Sequence, residues 1–177
     1  MSTDDQVSSK ADDGADLAIG TLAWPLTLTV RDLQPEDLGD LDWYGGPFHV
    51  DAIAARLQAS FGGEAALVVV TLPNHRLVAT GVVDFTRDPA YGLIMMLAVH
   101  ETLQSLGLGS IVIGALEQRI RERGRRVARI DVEHDNPRAA ALYWRLGYRE
   151  TGTVLDSWPV AGGRTYVTIC TVMTKPL

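Results

Sequence analysis

The 177-residue sequence predicts a mixed α/β fold, in which helices cover both faces of a mostly antiparallel sheet. Three observations predict it. Apolar or alternating runs typical of strands are joined by short polar turns, which favours antiparallel neighbours. Segments with apolar residues every three or four positions lie between these runs, as in helices that pack on a sheet. One such segment connects Tyr91–Val99 with Val127–Val132, and a helical crossover of this kind predicts a parallel strand pair in the middle of the sheet.

The first half of the chain predicts one strand, two helices and three further strands. The alternating strand Leu26–Val30 leads into a short helix that begins near Pro35, since proline is favoured in a first helical turn. The segment Tyr44–Pro47 ends this helix, and a second helix is predicted over Val50–Ser60, ended by two glycines. Three strands joined by short turns follow, at Ala65–Leu72, Leu77–Thr86 and Tyr91–Val99.

The second half predicts two helices and three strands. A core-facing helix follows Gly109 and ends at Gly124, before the strand Val127–Val132. Asn136 and Pro137 are typical of a helix start, because one caps the helix with its side chain and the other suits the first position; this helix continues over Ala139–Leu146. A hairpin closes the chain, with strands at Arg149–Val154 and Tyr166–Thr174 around Ala161–Gly163.

Composition indicates one globular domain, expected over residues 21–177. With 46% apolar and 21% charged residues, the chain can bury a core, and no apolar run is long enough to cross a bilayer. Residues 1–20 hold five aspartates against one lysine and contribute most of the net charge of −6, which predicts a disordered acidic tail. Because that start is not a signal peptide, we expect a soluble, cytoplasmic protein.

Several kinds of site are not indicated by the sequence. No basic stripe alternates with aromatic residues, so nucleic acid is not an expected partner, and a membrane is not expected either. The single cysteine, Cys170, excludes an internal disulfide and lies in an alternating strand, where a core position is favoured over a nucleophile. The histidines lack the spacing of metal ligands, and no metal is assigned: His49, His75, His100 and His134.

A glycine loop lies between the third consecutive strand and the long helix. Residues Gln104–Gly109 read Q-x-x-G-x-G. The glycines let the main chain approach a ligand, and the helix that follows directs unpaired N–H groups at an anion such as a pyrophosphate. An ordinary strand-to-helix turn would have the same residues. The order of the glycines is that of neither the dinucleotide fingerprint nor the P-loop.

A second motif makes the loop more specific. From Asn136 to Tyr148 the chain reads N-x-x-A-x-x-x-Y-x-x-x-G-Y, and with the loop before it the sequence resembles the GCN5-related N-acetyltransferase (GNAT) superfamily from about Leu26 to Leu177. The resemblance implies a GNAT-like sheet whose central parallel strands splay apart. It also implies acetyl-CoA as co-substrate and transfer of the acetyl group to a primary amine of a peptide N-terminus, a lysine or a small molecule.

The resemblance implies a set of cofactor-binding residues. The backbone at Ala98 and Val99 would pair with the pantetheine arm, amides of Leu106–Ser110 would hold the pyrophosphate, and Asn136 would reach the pantetheine amides. Core packing of the strand and simple helix capping by Asn136 are the alternatives. The loop has no basic residue, so Arg138 or Arg145 is a candidate for the 3′-phosphate unless solvated. The full set is Leu97, Ala98, Val99, Gln104, Leu106, Gly107, Leu108, Gly109, Ser110, Asn136, Ala139 and Tyr143.

Two residues are candidates for the chemical step. Tyr143 lies about two helical turns after Asn136 and would donate a proton to the leaving thiolate, unless it is only a core tyrosine. Asp131, five residues before Asn136, matches the place where the ribosomal-protein alanine acetyltransferase branch carries a glutamate base; a structural aspartate is the alternative. Further candidates for the base are Glu133, His134 and Asp84.

The acceptor is not identified by the sequence. Trp43–Phe48 and Trp158-Pro159 are candidates for an acceptor groove or for simple packing, and the acidic residues Glu36, Asp37, Asp40 and Asp42 would either attract a cationic amine or complement a helix dipole. Two other functions remain open: a non-catalytic acyl-CoA-binding sensor or assembly subunit, and an unrelated nucleotide-binding α/β domain. An exposed last strand would allow a homodimer.

Overall fold

A computed structural model describes residues 27–160 and 162–177. It confirms the predicted mixed α/β class: seven strands form one sheet in the order β1-β2-β3-β4-β5-β7-β6, and the only parallel neighbours among these strands are β4 and β5. The expected acidic tail lies outside the described residues, as do Leu26 of the first predicted strand and Ala161 of the last turn. The strands are β1 Thr29–Asp32, β2 Ala65–Thr71, β3 Leu77–Asp84, β4 Gly92–Val99, β5 Val127–Glu133, β6 Arg149–Val160 and β7 Arg164–Pro176.

Three α-helices and two short 3₁₀ helices connect these strands. The α-helices are α1 Pro47–Phe61, α2 Leu108–Glu122 and α3 Pro137–Arg145, and the 3₁₀ helices are Pro35–Asp40 and Glu101–Leu103. The element order is the predicted one, except that the second 3₁₀ helix was not foreseen. Helix α1 begins at Pro47 rather than Val50 because the proline occupies the first turn of the helix and Gly46, at φ 84°, makes the bend before it.

The final hairpin is the largest departure from the expected bounds. Its strands pair continuously from Leu155↔Ile169 to Val160↔Arg164, beyond the point where β7 pairs with β5. Val154 was therefore too early an end for β6. The alternation of apolar and polar residues weakens in this segment because both faces of the two-stranded arm are largely exposed.

Apolar cores lie on both faces of the sheet. On one face, α2 packs through residues such as Val112, Leu116 and Ile120 against buried side chains of the central strands. On the other face, α1 packs through Ile53 and Leu57. Strands β2 and β3 are buried on both faces, so their sequences are almost continuously apolar rather than alternating.

The centre of the sheet opens towards the carboxyl ends of β4 and β5. These strands are paired over only three positions, from Gly92↔Ala128 to Ile94↔Ile130. Past that point β4 contains a bulge, in which Met96 and Leu97 oppose the single residue Gly81 of β3, and Met96 has a φ of 52°. The predicted splaying is thus present in the structure.

Within the described parts of the chain, no helix has the length and apolar character needed to span a membrane.

Candidate active site at the splayed strands

A groove with a volume of about 610 Å³ lies beside the open end of β4. It is bounded by the end of β4, the glycine loop, the start of α2 and one face of α3. Every expected cofactor residue lines this groove except Leu106, which is 66% exposed. The lining residues from that set are Leu97, Ala98, Val99, Gln104, Gly107, Leu108, Gly109, Ser110, Asn136, Ala139 and Tyr143.

The glycine loop has the backbone shape of an anion-binding turn. Ser105 and Gly107 adopt left-handed conformations with φ of 67° and 86°, and Gly107 immediately precedes α2. The amide of Ser110 donates to the Gly107 carbonyl at 3.0 Å and is already used by the helix. Leu108 and Gly109 occupy the first two helical positions, where N–H groups have no intrahelical acceptor. These two amides therefore fit a phosphate better than that of Ser110.

Arg138 of α3 supplies the positive charge that the loop lacks. Its guanidinium donates from Nη1 to Gln104 Oε1 at 3.1 Å and from Nη2 to Ser105 Oγ at 2.9 Å. Gln104 in turn donates from Nε2 to the Val99 carbonyl at 3.2 Å. The side chain of Arg145 lines the same groove. Hydrogen bonds thus connect the glycine loop to α3 through Arg138 and to β4 through Gln104, and the Arg138 guanidinium lies against the loop.

Asn136 has the capping role that its position predicted. Its Oδ1 accepts a hydrogen bond from the Ala139 amide at 3.1 Å, at the start of α3. Its side chain also lines the groove. Capping by the oxygen leaves the amide nitrogen as a donor, so the cap and a contact to the cofactor are compatible.

Tyr143 is buried in the core and reaches the groove. Its ring centroid lies 6.1 Å from that of Tyr148, and its side chain forms part of the groove wall. Burial raises the pKa of Tyr143 to about 12, so the phenol remains protonated near neutral pH. A protonated hydroxyl at the groove is what a proton donor requires.

Asp131 is placed on β5 but lines neither cavity described here. Both of its carboxylate oxygens accept hydrogen bonds from Arg129, each at 2.8 Å. Arg129 also donates to the Tyr91 hydroxyl at 3.0 Å, and its guanidinium lies 5.1 Å from the centre of that ring. This ion pair was not predicted from the sequence, although an arginine and an aspartate two positions apart on a strand share one face.

The other candidates for the base differ in their surroundings. Asp84 is 1% exposed and is bound by Arg56 at 2.8 Å and by the amide and hydroxyl of Thr86, so it belongs to the link between α1 and the sheet. Glu133 lies on the same face of β5 as Asp131, and its Oε1 is buried with no hydrogen-bond partner in the described part of the chain. His134 follows at the end of the strand and donates its backbone amide to Ile169.

Cys170 has the buried core position that the sequence favoured. Burial, followed by the negative charges of nearby carboxylates, raises the pKa of its thiol to about 11. A thiol with that pKa carries almost no thiolate near neutral pH. The site therefore contains no activated cysteine among the residues that the structure describes.

A second cavity, of about 470 Å³, lies on the other side of the end of β4. Its walls include Trp43, Tyr44 and His49 from the segment before and within α1, so part of the predicted acceptor segment is placed there. The Tyr44 hydroxyl donates to the Met96 carbonyl at 3.2 Å, which fixes the aromatic wall to the bulge. The remaining lining residues are Ala98, Val99, Gln104, His100 and Glu101, and the first three also line the groove.

The second aromatic segment considered for the acceptor lies elsewhere. Trp158 packs against Tyr166 in the last hairpin, with ring centroids 5.1 Å apart and ring planes tilted by 48°, and lines neither cavity. Among the acidic residues considered, Asp37 forms an ion pair with Arg31 and is buried.

Three residues that contribute to the site were not predicted from the sequence. An added Cβ on Gly81 would lie 2.7 Å from Leu97 Cδ2 and 2.8 Å from Leu116 Cδ1, so this glycine makes room for the bulge. A glycine inside an apolar strand pattern was the available signal. His100 and Glu101 gave no comparable signal, because they join the cavity through the unforeseen 3₁₀ turn after β4.

Comparison with known proteins finds a matching family and several similar solved structures. The model of the acetyltransferase (GNAT) family matches residues 31–148. The ribosomal-protein-S18-alanine N-acetyltransferase of Escherichia coli is 21% identical, with a TM-score of 0.66 over 85% of this chain and 94% of that chain. A Salmonella typhimurium protein solved with its cofactor acetyl-CoA is 18% identical, with a TM-score of 0.66 over 85% and 94%.

A third similar structure belongs to an enzyme named for a different acceptor. It is the spermidine/spermine N-acetyltransferase of Vibrio cholerae, 18% identical, with a TM-score of 0.64 over 84% of this chain and 92% of that chain. A search of curated protein sequences gave no significant match.

Proposed function

As a member of the acetyltransferase (GNAT) family, the chain is an acetyl-CoA-dependent N-acetyltransferase, and we propose that it acetylates a primary amine by direct attack with Tyr143 as general acid. The acceptor would be a peptide N-terminus, a lysine or a small amine. One observation carries the proposal: the groove and the aromatic cavity share Ala98, Val99 and Gln104 at the open end of β4. A donor in one cavity and an amine in the other would meet there.

The groove offers separate contacts for each part of acetyl-CoA. The unpaired edge of β4 beyond Ile94 suits the pantetheine amides, and the amides of Leu108 and Gly109 suit the pyrophosphate. Arg138 adds a charge-assisted contact at the loop. The thioester would then lie near Tyr143, on the opposite wall of the groove.

The proposed chemistry uses no covalent enzyme intermediate. The amine nitrogen attacks the acetyl carbon, a C–N bond forms, and the C–S bond breaks. The departing sulfur takes the phenol proton of Tyr143, and the phenolate then recovers a proton from the new amide nitrogen. A carboxylate on β5 receives the proton that the ammonium form of the acceptor must lose first; Asp131 and Glu133 are the candidates on that strand.

The function is tested by incubating the full chain with acetyl-CoA and an amine panel. Spermidine, a peptide with a free N-terminal alanine and a lysine peptide with a blocked N-terminus cover the acceptor classes. We expect thiol release that depends on one of these amines, with a product heavier by one acetyl group in mass spectrometry. Binding of acetyl-CoA without any amine-dependent thiol would instead identify an acyl-CoA sensor.

The exposed arm of the last hairpin favours a homodimer. Leu155, Val167 and Ile169 are exposed on one face of this arm, and β6 is an edge strand. Light scattering on the purified chain would give the number of subunits. A cytoplasmic location is likewise proposed, and fractionation of cells that express the chain would test it.

A further inference from the structure

Two carboxylates follow the point where β5 separates from β4. Asp131 and Glu133 are one and three residues beyond Ile130, the last residue of β5 that pairs with β4. Ile130 and Val132 point into the core under α2, so the two carboxylates project from the opposite face of the sheet. Trp43 and Tyr44 of the aromatic cavity also lie on that face. Both carboxylates are thus on the side from which an acceptor would approach.

The two carboxylates differ in their hydrogen bonds. Both oxygens of Asp131 are held by the fork of Arg129, which is itself fixed on Tyr91. This bidentate contact commits both carboxylate oxygens of Asp131 to Arg129 rather than to an incoming ammonium. Glu133 Oε1, in contrast, is buried and has no hydrogen-bond partner among the described residues. A buried carboxylate oxygen without a partner is costly and calls for a missing contact.

The strand register also favours Glu133 over Asp131 as the carboxylate nearer to the two cavities. Ile94 and Ile130 are level with each other, and the strands run in the same direction. Three residues further along, Glu133 is level with Leu97, or with Ala98 once the extra residue of the bulge is included. Asp131 is level with Met95. By this count Glu133, which like Asp131 lines neither cavity, is closer in register than Asp131 to the part of β4 that both cavities share.

Resting on the proposed function, we propose that Glu133 is the general base that takes the proton from the acceptor ammonium, directly or through one water. Glu133 begins as a carboxylate, gains that proton as the amine becomes neutral, and releases it to solvent after the C–N bond has formed and the C–S bond has broken. Asp131 is then a positioning residue, which holds Arg129 in place against Tyr91.

The charges around Glu133 suit a cationic acceptor. Cys170 of β7 lies opposite Glu133 in the strand register, and four carboxylates act on its thiol: Glu133, Asp131, Asp135 and Asp156. The guanidinium of Arg129, on the same face of β5, is bonded to Asp131. The titratable groups in this part of the structure are Arg129 and Asp131 on β5, Cys170 on β7, Asp156 on β6, and His134 and Asp135 in the turn that follows.

The test compares Glu133→Gln with Asp131→Asn, each of which replaces a carboxylate by its amide. Thiol release is measured over a range of pH with whichever panel amine the wild-type enzyme uses fastest, and acetyl-CoA affinity is measured by calorimetry. We expect Glu133→Gln to lower kcat at least about 100-fold near neutral pH, as for loss of a positioned base. The loss should shrink towards the pKa of the amine, because more acceptor is then already neutral.

Other outcomes distinguish a failure of the base assignment from a failure of the proposed function. A Glu133→Gln enzyme with wild-type kcat near neutral pH overturns the base assignment, as does a pH-dependent loss confined to Asp131→Asn. Acetyl-CoA affinity and circular dichroism should match the wild type in both variants. Glu133→Asp keeps the carboxylate and should recover part of the kcat that Glu133→Gln loses, and a folded Glu133→Asp that is as slow as Glu133→Gln overturns the base assignment. A wild-type enzyme that releases no thiol with any amine overturns the proposed function and, with it, the base.

Discussion

Tyr143 is buried and lines the groove beside β4. The substitution Tyr143→Phe keeps the ring and removes only the hydroxyl that we propose as the proton donor. We expect kcat to fall by about 100-fold, the lower end of the range for a positioned general acid, with acetyl-CoA affinity almost unchanged. Steady-state thiol release and calorimetric titration with acetyl-CoA measure the two quantities separately.

Tyr166→Phe is the matched control for that substitution. Tyr166 is 41% exposed on the hairpin arm and packs against Trp158, outside both cavities. Its loss of a hydroxyl should leave kcat unchanged. If Tyr143→Phe also retains full kcat, the phenol is not the acid, and the tyrosine contributes only packing.

Sequence and structure agree on residues whose function depends on local chain geometry. Asn136 was predicted as a cap from the Asn-Pro pair, and its Oδ1 does accept the Ala139 amide. Side-chain hydrogen bonds between distant segments could not be predicted from the sequence, because the partner of a side chain depends on the tertiary fold. Arg138 was considered for a 3′-phosphate, but its contacts to Gln104 and Ser105 could not be read from a helix surface position.

At the scale of secondary-structure elements, Arg138 connects α3 with the glycine loop. The substitution Arg138→Ala removes the only guanidinium that the described structure bonds to this loop. We expect the KM for acetyl-CoA to rise about tenfold, which corresponds to about 1.4 kcal/mol, while kcat at saturation changes little.

The matched control for this arginine is Arg164→Ala, at the start of β7 and outside both cavities. The effect of Arg138→Ala should also weaken as salt is added, because salt screens an exposed charge. An unchanged KM for acetyl-CoA at low salt would remove Arg138 from cofactor binding.

The bulge of β4 depends on Gly81 of the neighbouring strand. An alanine there would place its Cβ 2.7 Å from Leu97 and 2.8 Å from Leu116, so the strand and α2 would have to move apart. We expect Gly81→Ala to lower the free energy of unfolding by about 1–3 kcal/mol, as overpacking does in a dense core. Urea unfolding followed by circular dichroism measures it.

Gly114 provides the opposite case on α2. It is exposed within the helix, and an added Cβ would meet nothing within 4 Å. Gly114→Ala should raise the free energy of unfolding by about 0.5–1 kcal/mol, because alanine is the better helix former. Equal effects of the two substitutions would contradict the packing argument for Gly81.

For the whole molecule, the strand order could be inferred in part from connection lengths. Short turns gave the antiparallel neighbours of β2, β3 and β4, and the crossover through α2 gave the parallel pair. The insertion of β7 between β5 and β6 has no such local signal, since it depends on which strand of the last hairpin completes the open edge of β5. The length of that hairpin was missed for the same reason.

Ion pairs join the helical layers to this sheet. On one side Arg56 of α1 binds Asp84 of β3 at 2.8 Å. On the other side the buried Glu117 of α2 accepts from Lys175 of β7 at 2.8 Å and from the Tyr148 hydroxyl at 3.0 Å. Each layer is therefore oriented by at least one polar contact in addition to its apolar packing.

The pair on the α1 side makes stability depend on acid pH. Burial acts to raise the pKa of Asp84, but hydrogen bonds from Thr86 and the charges of Arg56 and Arg87 outweigh it, so the pKa is lower in the folded protein than in the unfolded chain. Its contribution is therefore complete above the unfolded value of about 3.9 and is lost as the pH falls through the lower folded value.

We expect Asp84→Asn to lower the free energy of unfolding by about 2 kcal/mol near neutral pH, because Arg56 loses a buried partner. The difference from the wild type should shrink as the pH falls below about 4, where the wild-type carboxylate becomes protonated too. Urea unfolding at a series of pH values measures this difference. Asp51→Asn, at an exposed position of α1, should give a small difference at every pH, and a constant deficit for Asp84→Asn down to the acid transition would contradict the ionic origin of its effect.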